Sequence, residues 1–261
     1  MSDAIGFIGV GSIATAAVEG LVTAPGAAPH VLLSPRNAAK SRALSERFAT
    51  VAVAESNQAV LDGSGTVFLC LRPQAAAEAL RPLRFHPRHT IVSLVPLPLS
   101  ALASLLRPAQ RAVRALVLPT CTERLQAIPY WPEVGELHPL LERLGAPLPL
   151  RNERELNALW ASTATISAFY AFLETVADWA AARGAAPTAA VDYTAGMAHA
   201  LARIALVDGT DRFARLSREA ATPGGLNEQV VGALRTRGAY VHLRDALDAV
   251  LARIEGVPPI A

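Results

Sequence analysis

The sequence predicts an α/β protein, with an N-terminal Rossmann-like doubly wound parallel sheet followed by an all-helical C-terminal domain. Three observations predict it. A glycine-rich turn follows the first apolar run, short apolar runs alternate with helical or turn segments up to residue 118, and strand-type patterning disappears after residue 154. Such alternation is typical of a parallel sheet covered by helices. The predicted domains are residues 1–150 and 151–261.

Each short apolar run in the first domain is predicted to be a strand of that sheet. The segment 146–154, rich in proline, is predicted to be a break between the domains. Helices are then expected from about residue 155 to 255, where alanine-rich faces suit close packing between helices. The predicted strands are residues 5–8, 31–33, 51–53, 67–71, 91–95 and 112–118.

The turn after the first strand predicts a dinucleotide site. Residues 5–14 read I-G-F-I-G-V-G-S-I-A. Gly9 would allow a tight turn, Gly11 would let a diphosphate approach bare backbone, and Ala14 would let the helix pack close to the strand. Helix N-termini attract anions through unpaired amides. The alternative is a purely structural turn between strand and helix. The predicted cofactor residues here are Gly9, Gly11, Ser12, Ile13 and Ala14.

The end of the second strand favours NADP(H) over NAD(H). A NAD site usually has an acid here to hold the ribose 2′-hydroxyl, but this chain has no carboxylate until Glu46. Ser34, Arg36 and Asn37 could instead hydrogen-bond a 2′-phosphate. The alternative for Arg36 is a solvated surface cation.

Composition restricts the classes of partner. The net charge is +2, the arginines are mixed with acids, and aromatic residues make up 5% of the chain, which argues against binding to nucleic acid or a membrane surface. Two cysteines without metal-like spacing, and an N-terminus unlike a signal peptide, predict a cytoplasmic protein without a metal site.

The segment 156–173 carries no charge, but its length is barely enough to span a membrane, so we expect a buried or dimer-interface helix.

The order of motifs resembles the pyrroline-5-carboxylate reductase family, which reduces a cyclic imino acid to proline with NAD(P)H. Residues 5–14 resemble the family's I-G-F-I-G-x-G-N-M-A, and residues 67–74 resemble V-F-L-A-V-K-P-Q. Residues 91–94 resemble I-V-S-I, and residues 221–227 resemble the family-specific S-S-P-G-G-x-T. The resemblance runs the length of the chain and implies at least a homodimer through the helical domains.

The resemblance also implies further site residues. Leu71, Arg72 and Pro73 would flank the cofactor, and Asn57 would lie near the adenosine ribose phosphate. Residues 221–227 would form a substrate-carboxylate cradle, because a helix that begins after paired glycines offers exposed amides to an anion. An ordinary helix-capping turn is the alternative. The cradle residues are Thr222, Gly224, Gly225 and Asn227.

The departures from the family concern the substrate pocket. The Asn-Thr-Pro element after the sixth strand has lost its asparagine, and the glycine-rich helix start is replaced by residues 163–169, where Thr163 and Thr165 keep hydroxyls. The last threonine of the family signature is Asn227. We therefore expect pyrroline-5-carboxylate or a related imine as substrate. Thr165, Thr222 and Asn227 would orient the imine nitrogen or carboxylate, with Thr163, Gly224 and Gly225 as further substrate contacts.

Other functions remain as alternatives. A β-hydroxyacid dehydrogenase has the same two-domain plan but uses a lysine in its helical domain, and the single lysine here is Lys40. A catalytically silent NADP-binding sensor or scaffold is a second alternative. Glu174 with Asp178, and His199, are interpreted as structural, and no histidine neighbours Cys121 to support nucleophilic catalysis.

Overall fold

The computed structural model describes residues 4–206 and 210–256, which divide into two compact units. The first contains residues 4–160 and 254–256, and the second contains residues 161–206 and 210–253. The roles assigned to the two domains in the sequence analysis stay predictions.

The first unit alternates strands with helices. Its strands are β1 (Ala4–Ile8), β2 (Val31–Leu33), β3 (Val51–Val53), β4 (Ser64–Leu69), β5 (Thr90–Ser93), β6 (Arg111–Ala115), β7 (Ala127–Trp131) and β8 (Ala146–Pro149). Its helices are α1 (Ser12–Thr23), α2 (Ala38–Arg47), α3 (Asn57–Asp62), α4 (Pro73–Leu80), α5 (Leu99–Leu102), α6 (His138–Glu142) and α7 (Glu153–Ser162), the last of which ends just beyond the unit.

These strands form one sheet in the order β3-β2-β1-β4-β5-β6-β7-β8. All neighbouring pairs are parallel except β6 with β7. The chain moves outward from β1 to β3 and then returns to place β4 on the other side of β1. The point where the order reverses is where α/β sheets bind ligands. The predicted fold class is confirmed, and all six predicted strands are present, although β6 ends at Ala115 rather than at residue 118.

Two strands were not predicted. Residues 146–154 were expected to be a break, whereas Ala146–Pro149 forms β8 at the sheet edge and pairs with β7. Prolines occur in both strands, at Pro129, Pro147 and Pro149. Proline lacks an N–H donor and is confined to edge strands, first positions or bulges, so it disguises a strand in the sequence.

Both faces of the sheet are buried. Successive residues of a strand point to opposite faces, and Phe7 belongs to one apolar cluster while Ile8 belongs to the other. Phe68 and its neighbour Val67 divide in the same way. The rings of Phe7 and Phe68 stack at 4.8 Å between adjacent strands. The sheet therefore holds the ends of β1 and β4 firmly beside each other.

A buried arginine joins α7 to the sheet. Arg114 on β6 is fully buried, and its Nη1 donates to Glu153 Oε1 and to Asn157 Oδ1, each at 2.8 Å. Its guanidinium lies over the Trp160 ring, 5.0 Å from the centroid. Burial lowers the pKa of Arg114, and the hydrogen bond and charge of Glu153 oppose that shift. The same Glu153 oxygen accepts the Leu99 N–H at 2.9 Å.

The second unit is helical. Its helices are α8 (Thr165–Ala181), α9 (Pro187–Ile204), α10 (Arg212–Ala220), α11 (Leu226–Thr236) and α12 (Ala239–Ile254). The single helix expected over residues 156–173 is divided by a turn at residues 163–164. The stretch Glu153–Ala181 contains an 18-residue window with a mean hydropathy of 1.2, long and apolar enough to cross a membrane, but one such stretch is weak evidence for a span.

Candidate dinucleotide-binding site

The turn between β1 and α1 requires glycine at position 9. Gly9 has φ = 91°, and a Cβ at this position would lie 2.5 Å from the carbonyl oxygen of Cys70. Cys70 directly follows β4, so the absence of a side chain lets the ends of β1 and β4 approach each other. Gly9 therefore has the tight-turn role that the spacing predicts.

Gly11 leaves open space in front of the backbone. A Cβ at Gly11 would meet no atom of the described residues within 4 Å. The first intrahelical bond of α1 runs from the Thr15 N–H to the Gly11 carbonyl at 2.9 Å, so helix geometry leaves the amides of residues 12–14 without intrahelical acceptors. The first turn of α1 contains no acid and no side-chain cap. Bare, unpaired amides at a helix N-terminus fit a diphosphate.

Ser34 and Asn37 hold this turn in place. The Ser34 hydroxyl accepts the Gly9 N–H at 2.9 Å, and Asn37 Nδ2 donates to the Val10 carbonyl at 2.8 Å. Ser34 is 1% exposed, and its carbonyl accepts a hydrogen bond from the Ser41 hydroxyl. The structure therefore does not bring Ser34 into the cleft as the predicted phosphate contact, because its hydroxyl is buried against the turn.

Three neighbouring clefts, together called the nucleotide cleft, follow the carboxyl edge of the sheet. Their volumes are about 490, 750 and 480 Å³. The first two share Gly11, Asn37 and residues 70–72, and the last two share Arg36. The cleft is lined by these residues together with Gly9, Val10, Ser12, Ile13, Ala14, Pro35, Lys40, Ser56, Asn57, Gln58, Pro73, Gln74, Ala75, Glu78, Ala79, Pro82, Leu83, Leu94 and Pro96.

Most of the predicted cofactor residues thus lie together. Arg72 precedes α4, and Pro73 is the first residue of that helix. Asn57 is the first residue of α3 and lines the same part of the cleft as Arg36. Of the predicted set, Ser34 alone does not line the cleft.

Lys40 is a cleft residue that the sequence analysis missed. It lies on α2, and its Nζ is 3.2 Å from the Ser12 hydroxyl at the start of α1. With Arg36 and Arg72 it gives the cleft three cations against one acid, Glu78. Its position three residues after Asn37, at the start of the helix that follows β2, was the available signal in the sequence.

The predicted carboxylate cradle is one turn between α10 and α11. The Gly224 N–H donates to Glu228 Oε2 at 2.7 Å, and the Gly225 N–H donates to the Thr222 carbonyl at 2.8 Å. Asn227 Nδ2 donates to the Ala220 carbonyl at 3.0 Å. Glu228 was not predicted as part of this turn.

Thr163 and Thr165 lie at the start of α8. Thr163 is in the turn that precedes the helix, and the Thr165 hydroxyl donates to the Ser162 carbonyl at 2.7 Å. Their predicted contacts with a substrate stay predictions.

Burial disfavours the thiolate form of both cysteines. Burial raises the pKa of Cys121 to about 11, and burial also raises the pKa of Cys70. Both are therefore thiols at neutral pH. Within residues 4–206 and 210–256, no group of three or more histidine, cysteine, aspartate or glutamate side chains could hold a metal ion.

Two family models match the chain, one in its N-terminal part and one in its C-terminal part. Residues 4–96 match the family described as NADP oxidoreductase coenzyme F420-dependent, and residues 153–257 match pyrroline-5-carboxylate reductase dimerisation. Residues 153–257 therefore belong to the pyrroline-5-carboxylate reductase dimerisation family. Together the two matches indicate an NAD(P)H-dependent oxidoreductase. No curated protein matches the chain in sequence.

Solved structures of pyrroline-5-carboxylate reductases share the fold. The enzyme of Streptococcus pyogenes is 20% identical, with a TM-score of 0.83 over 98% of this chain and 99% of its own. The Plasmodium falciparum pyrroline carboxylate reductase with NADP bound is 13% identical, with a TM-score of 0.81 over 97% of each chain. A reductive aminase of Aspergillus terreus in complex with NADPH is 20% identical, with a TM-score of 0.63 over 99% of this chain and 89% of its own.

Proposed function

We propose that this chain is a member of the pyrroline-5-carboxylate reductase family that reduces an imine with NADPH. The observation that carries the proposal is the nucleotide cleft at the switch point between β1 and β4. There, open amides at the start of α1 lie beside three basic side chains. The matches to the two family models support the same reaction class.

Different residues of the chain bind different parts of the cofactor. The amides of residues 12–14 bind the diphosphate, and Gly11 leaves room for it. Arg36, Lys40 and Asn57 bind the 2′-phosphate of NADP(H), a group that NAD(H) lacks. Leu71, Arg72 and Pro73 flank the cofactor on the β4 side. When bound, the reduced nicotinamide would supply a hydride, and a protonated imine that accepts it at carbon becomes an amine.

The substrate in this proposal is pyrroline-5-carboxylate or a related cyclic imine. A protonated imine is already electrophilic, so binding and orientation are enough and no strong general acid is needed. Thr165, Thr222 and Asn227 orient the substrate, with Thr163, Gly224 and Gly225 as further contacts. The fold shared with a reductive aminase in complex with NADPH and ethyl-5-oxohexanoate supports a second candidate, an imine formed from a ketone and an amine.

The second unit mediates self-association in this proposal. Its helices expose large apolar side chains, including Phe172, Tyr193 and Leu201, at 57%, 75% and 58%. The matched family model describes a dimerisation domain. A second copy of the chain would cover this surface. We place the dimer in the cytoplasm.

NADPH oxidation tests the proposed reaction. Purified protein is mixed with NADPH and, in turn, pyrroline-5-carboxylate, its six-membered homologue and simple cyclic imines, and the amine product is identified by mass spectrometry. The proposal predicts oxidation of one NADPH per amine formed with at least one imine. A reaction without imine is the control. Tight NADPH binding without turnover across the panel would instead favour a silent sensor or scaffold.

A further inference from the structure

The segment between β5 and α5, residues 94–98, forms part of the wall of the nucleotide cleft. Leu94 and Pro96 of this segment line the cleft together with residues 11–14 at the start of α1. In the proposed binding mode the adenosine half of the cofactor lies near β2 and the diphosphate lies in front of β1. The sheet order β3-β2-β1-β4-β5 then places the nicotinamide half at the ends of β4 and β5, against this segment.

Few backbone N–H groups tie this segment to other parts of the chain. The Leu94 N–H donates to the Leu69 carbonyl at 2.9 Å, which fixes the start of the segment to β4. The N–H groups of residues 95 and 97 bond locally, within residues 93–97. Residues 96 and 98 are prolines and have no N–H. The end of the segment is therefore fixed by the next N–H along the chain, that of Leu99.

Glu153 of α7 accepts this N–H. The Leu99 N–H donates to Glu153 Oε1 at 2.9 Å, and the same oxygen accepts a hydrogen bond from Arg114 Nη1 at 2.8 Å. Leu99 is the first residue of α5, and the residue before it provides no side-chain cap, so Glu153 takes the place of a cap. Because Arg114 is fully buried on β6, the carboxylate is held in a fixed position relative to the sheet.

Hydride transfer depends on the position of the nicotinamide ring, because the reacting atoms must approach to about 3–3.5 Å. We infer that Glu153 is a positioning residue, which holds residues 94–98 against the nicotinamide ring through the Leu99 N–H. Glu153 does not itself line the nucleotide cleft. The inference rests on the proposed reduction with NADPH and adds to it a residue that places the ring without touching it.

A proline at position 99 removes the hydrogen bond with little change to the backbone. Pro98 has φ = −63° and ψ = 150°, the extended conformation that suits a residue before proline. Proline is also favoured at the first position of a helix. Leu99→Pro therefore deletes the N–H and leaves the pair of Arg114 and Glu153 in place. Leu99→Ala is the matched control, because it also loses the leucine side chain but keeps the N–H.

The two variants are compared with the imine that the unchanged protein reduces fastest. Leu99→Pro should lower kcat at least about tenfold relative to Leu99→Ala, since a displacement of about 1 Å can cost about a hundredfold in rate. The Kd for NADPH should change by less than about threefold, because the phosphates are bound outside this segment. A merely structural hydrogen bond would lower the free energy of unfolding and leave the kcat of the folded protein unchanged. Values of kcat within about twofold of each other would overturn the inference.

Variants of Glu153 test the other partner of the hydrogen bond. Glu153→Gln keeps an oxygen that can accept the Leu99 N–H, whereas Glu153→Ala does not, and both remove the charge that pairs with Arg114. The kcat of Glu153→Gln should therefore exceed that of Glu153→Ala by about fivefold or more, measured at a temperature where both are folded. Equal kcat values would show that the acceptor oxygen does not place the ring, and the inference would fail.

A measurement without imine separates this inference from the proposed function. The fluorescence anisotropy decay of the reduced nicotinamide is recorded for Leu99→Pro and Leu99→Ala, each saturated with NADPH. If no imine is reduced, the proposed reaction fails. The inference about Glu153 then stands if the bound ring rotates faster in Leu99→Pro than in Leu99→Ala, and it falls if the two decays are the same.

Discussion

At the scale of single residues, the positive charge of the nucleotide cleft comes from three different elements. Arg36 lies in the turn after β2, Lys40 lies on α2, and Arg72 precedes α4. Each is exposed. The acid that would hold a ribose hydroxyl in a NAD site is absent after β2, where Ser34 is buried against Gly9.

Lys40→Gln and Arg36→Gln should therefore weaken NADPH more than NADH. Each removes a charged donor for the 2′-phosphate, so each should raise the Kd for NADPH about tenfold and change that for NADH much less. Fluorescence titration with both cofactors measures this. Arg42→Gln is the matched control, since Arg42 is exposed on the same helix and does not line the cleft. Equal losses for both cofactors would count against a 2′-phosphate role.

The residue pattern predicted Gly9 and Gly11 because their spacing along the chain is enough to define the turn. The role of Ser34 as a phosphate contact stays a prediction. A hydroxyl after a strand can face a ligand or accept a neighbouring amide, and the fold brings the Gly9 N–H within 2.9 Å of this one. Lys40 and Glu228 were missed for a related reason. Their contacts, with Ser12 and Gly224, depend on where helices direct long side chains.

At the scale of elements, the ion pair between Arg114 and Glu153 anchors α7 to β6. Its two side chains differ in exposure. The Arg114 side chain is fully buried, whereas that of Glu153 is 22% exposed. Arg114 Nε and Nη2 have no hydrogen-bond partner among the described residues. The guanidinium therefore depends on Glu153, Asn157 and the face of Trp160.

Glu153→Ala should destabilise the protein by about 3 kcal/mol, because it leaves a buried cation without its counter-charge. Chemical denaturation followed by circular dichroism gives the free energy of unfolding. Glu155→Ala is the control, since Glu155 lies on the same helix and pairs with the exposed Arg151. Its loss should be clearly smaller. Similar losses for the two variants would contradict a special role for the buried pair.

Strands and helices are predicted best from the sequence where an uninterrupted apolar pattern identifies them. The first five strands are apolar and lie at or close to the predicted positions. β7 and β8 were missed because Pro129, Pro147 and Pro149 interrupt the pattern that identifies a strand. The turn that separates α7 from α8 was missed because residues 156–173 contain no charge, glycine or proline that would mark a break.

At the scale of the whole molecule, the second unit exposes more large apolar side chains than a monomer in water usually leaves uncovered. Most of the exposed large apolar side chains in the described residues belong to α8–α12, among them Trp179, Val191, Phe213 and Leu226. Covering them requires another protein surface, and the matched dimerisation model indicates a second copy.

Light scattering at micromolar concentration should therefore give the mass of at least a dimer. Phe172→Glu combined with Leu201→Glu places charges on the exposed apolar surface and should shift the protein toward monomer. Leu125→Glu is the control, because Leu125 is 77% exposed but belongs to the first unit. A monomeric mass for the unchanged protein would overturn the proposed assembly.

The central claim is that bare backbone after β1 binds the diphosphate of NADP(H). The most direct test is the NADPH affinity of Gly11→Leu, measured by the fluorescence of the reduced nicotinamide, beside Gly135→Leu. Both glycines face open space, so neither change should disturb the fold, but only Gly11 lines the cleft. We predict saturable binding to the unchanged protein and to Gly135→Leu, and a Kd raised about tenfold to a hundredfold for Gly11→Leu. No binding to the unchanged protein, or equal affinity for all three, would contradict the claim.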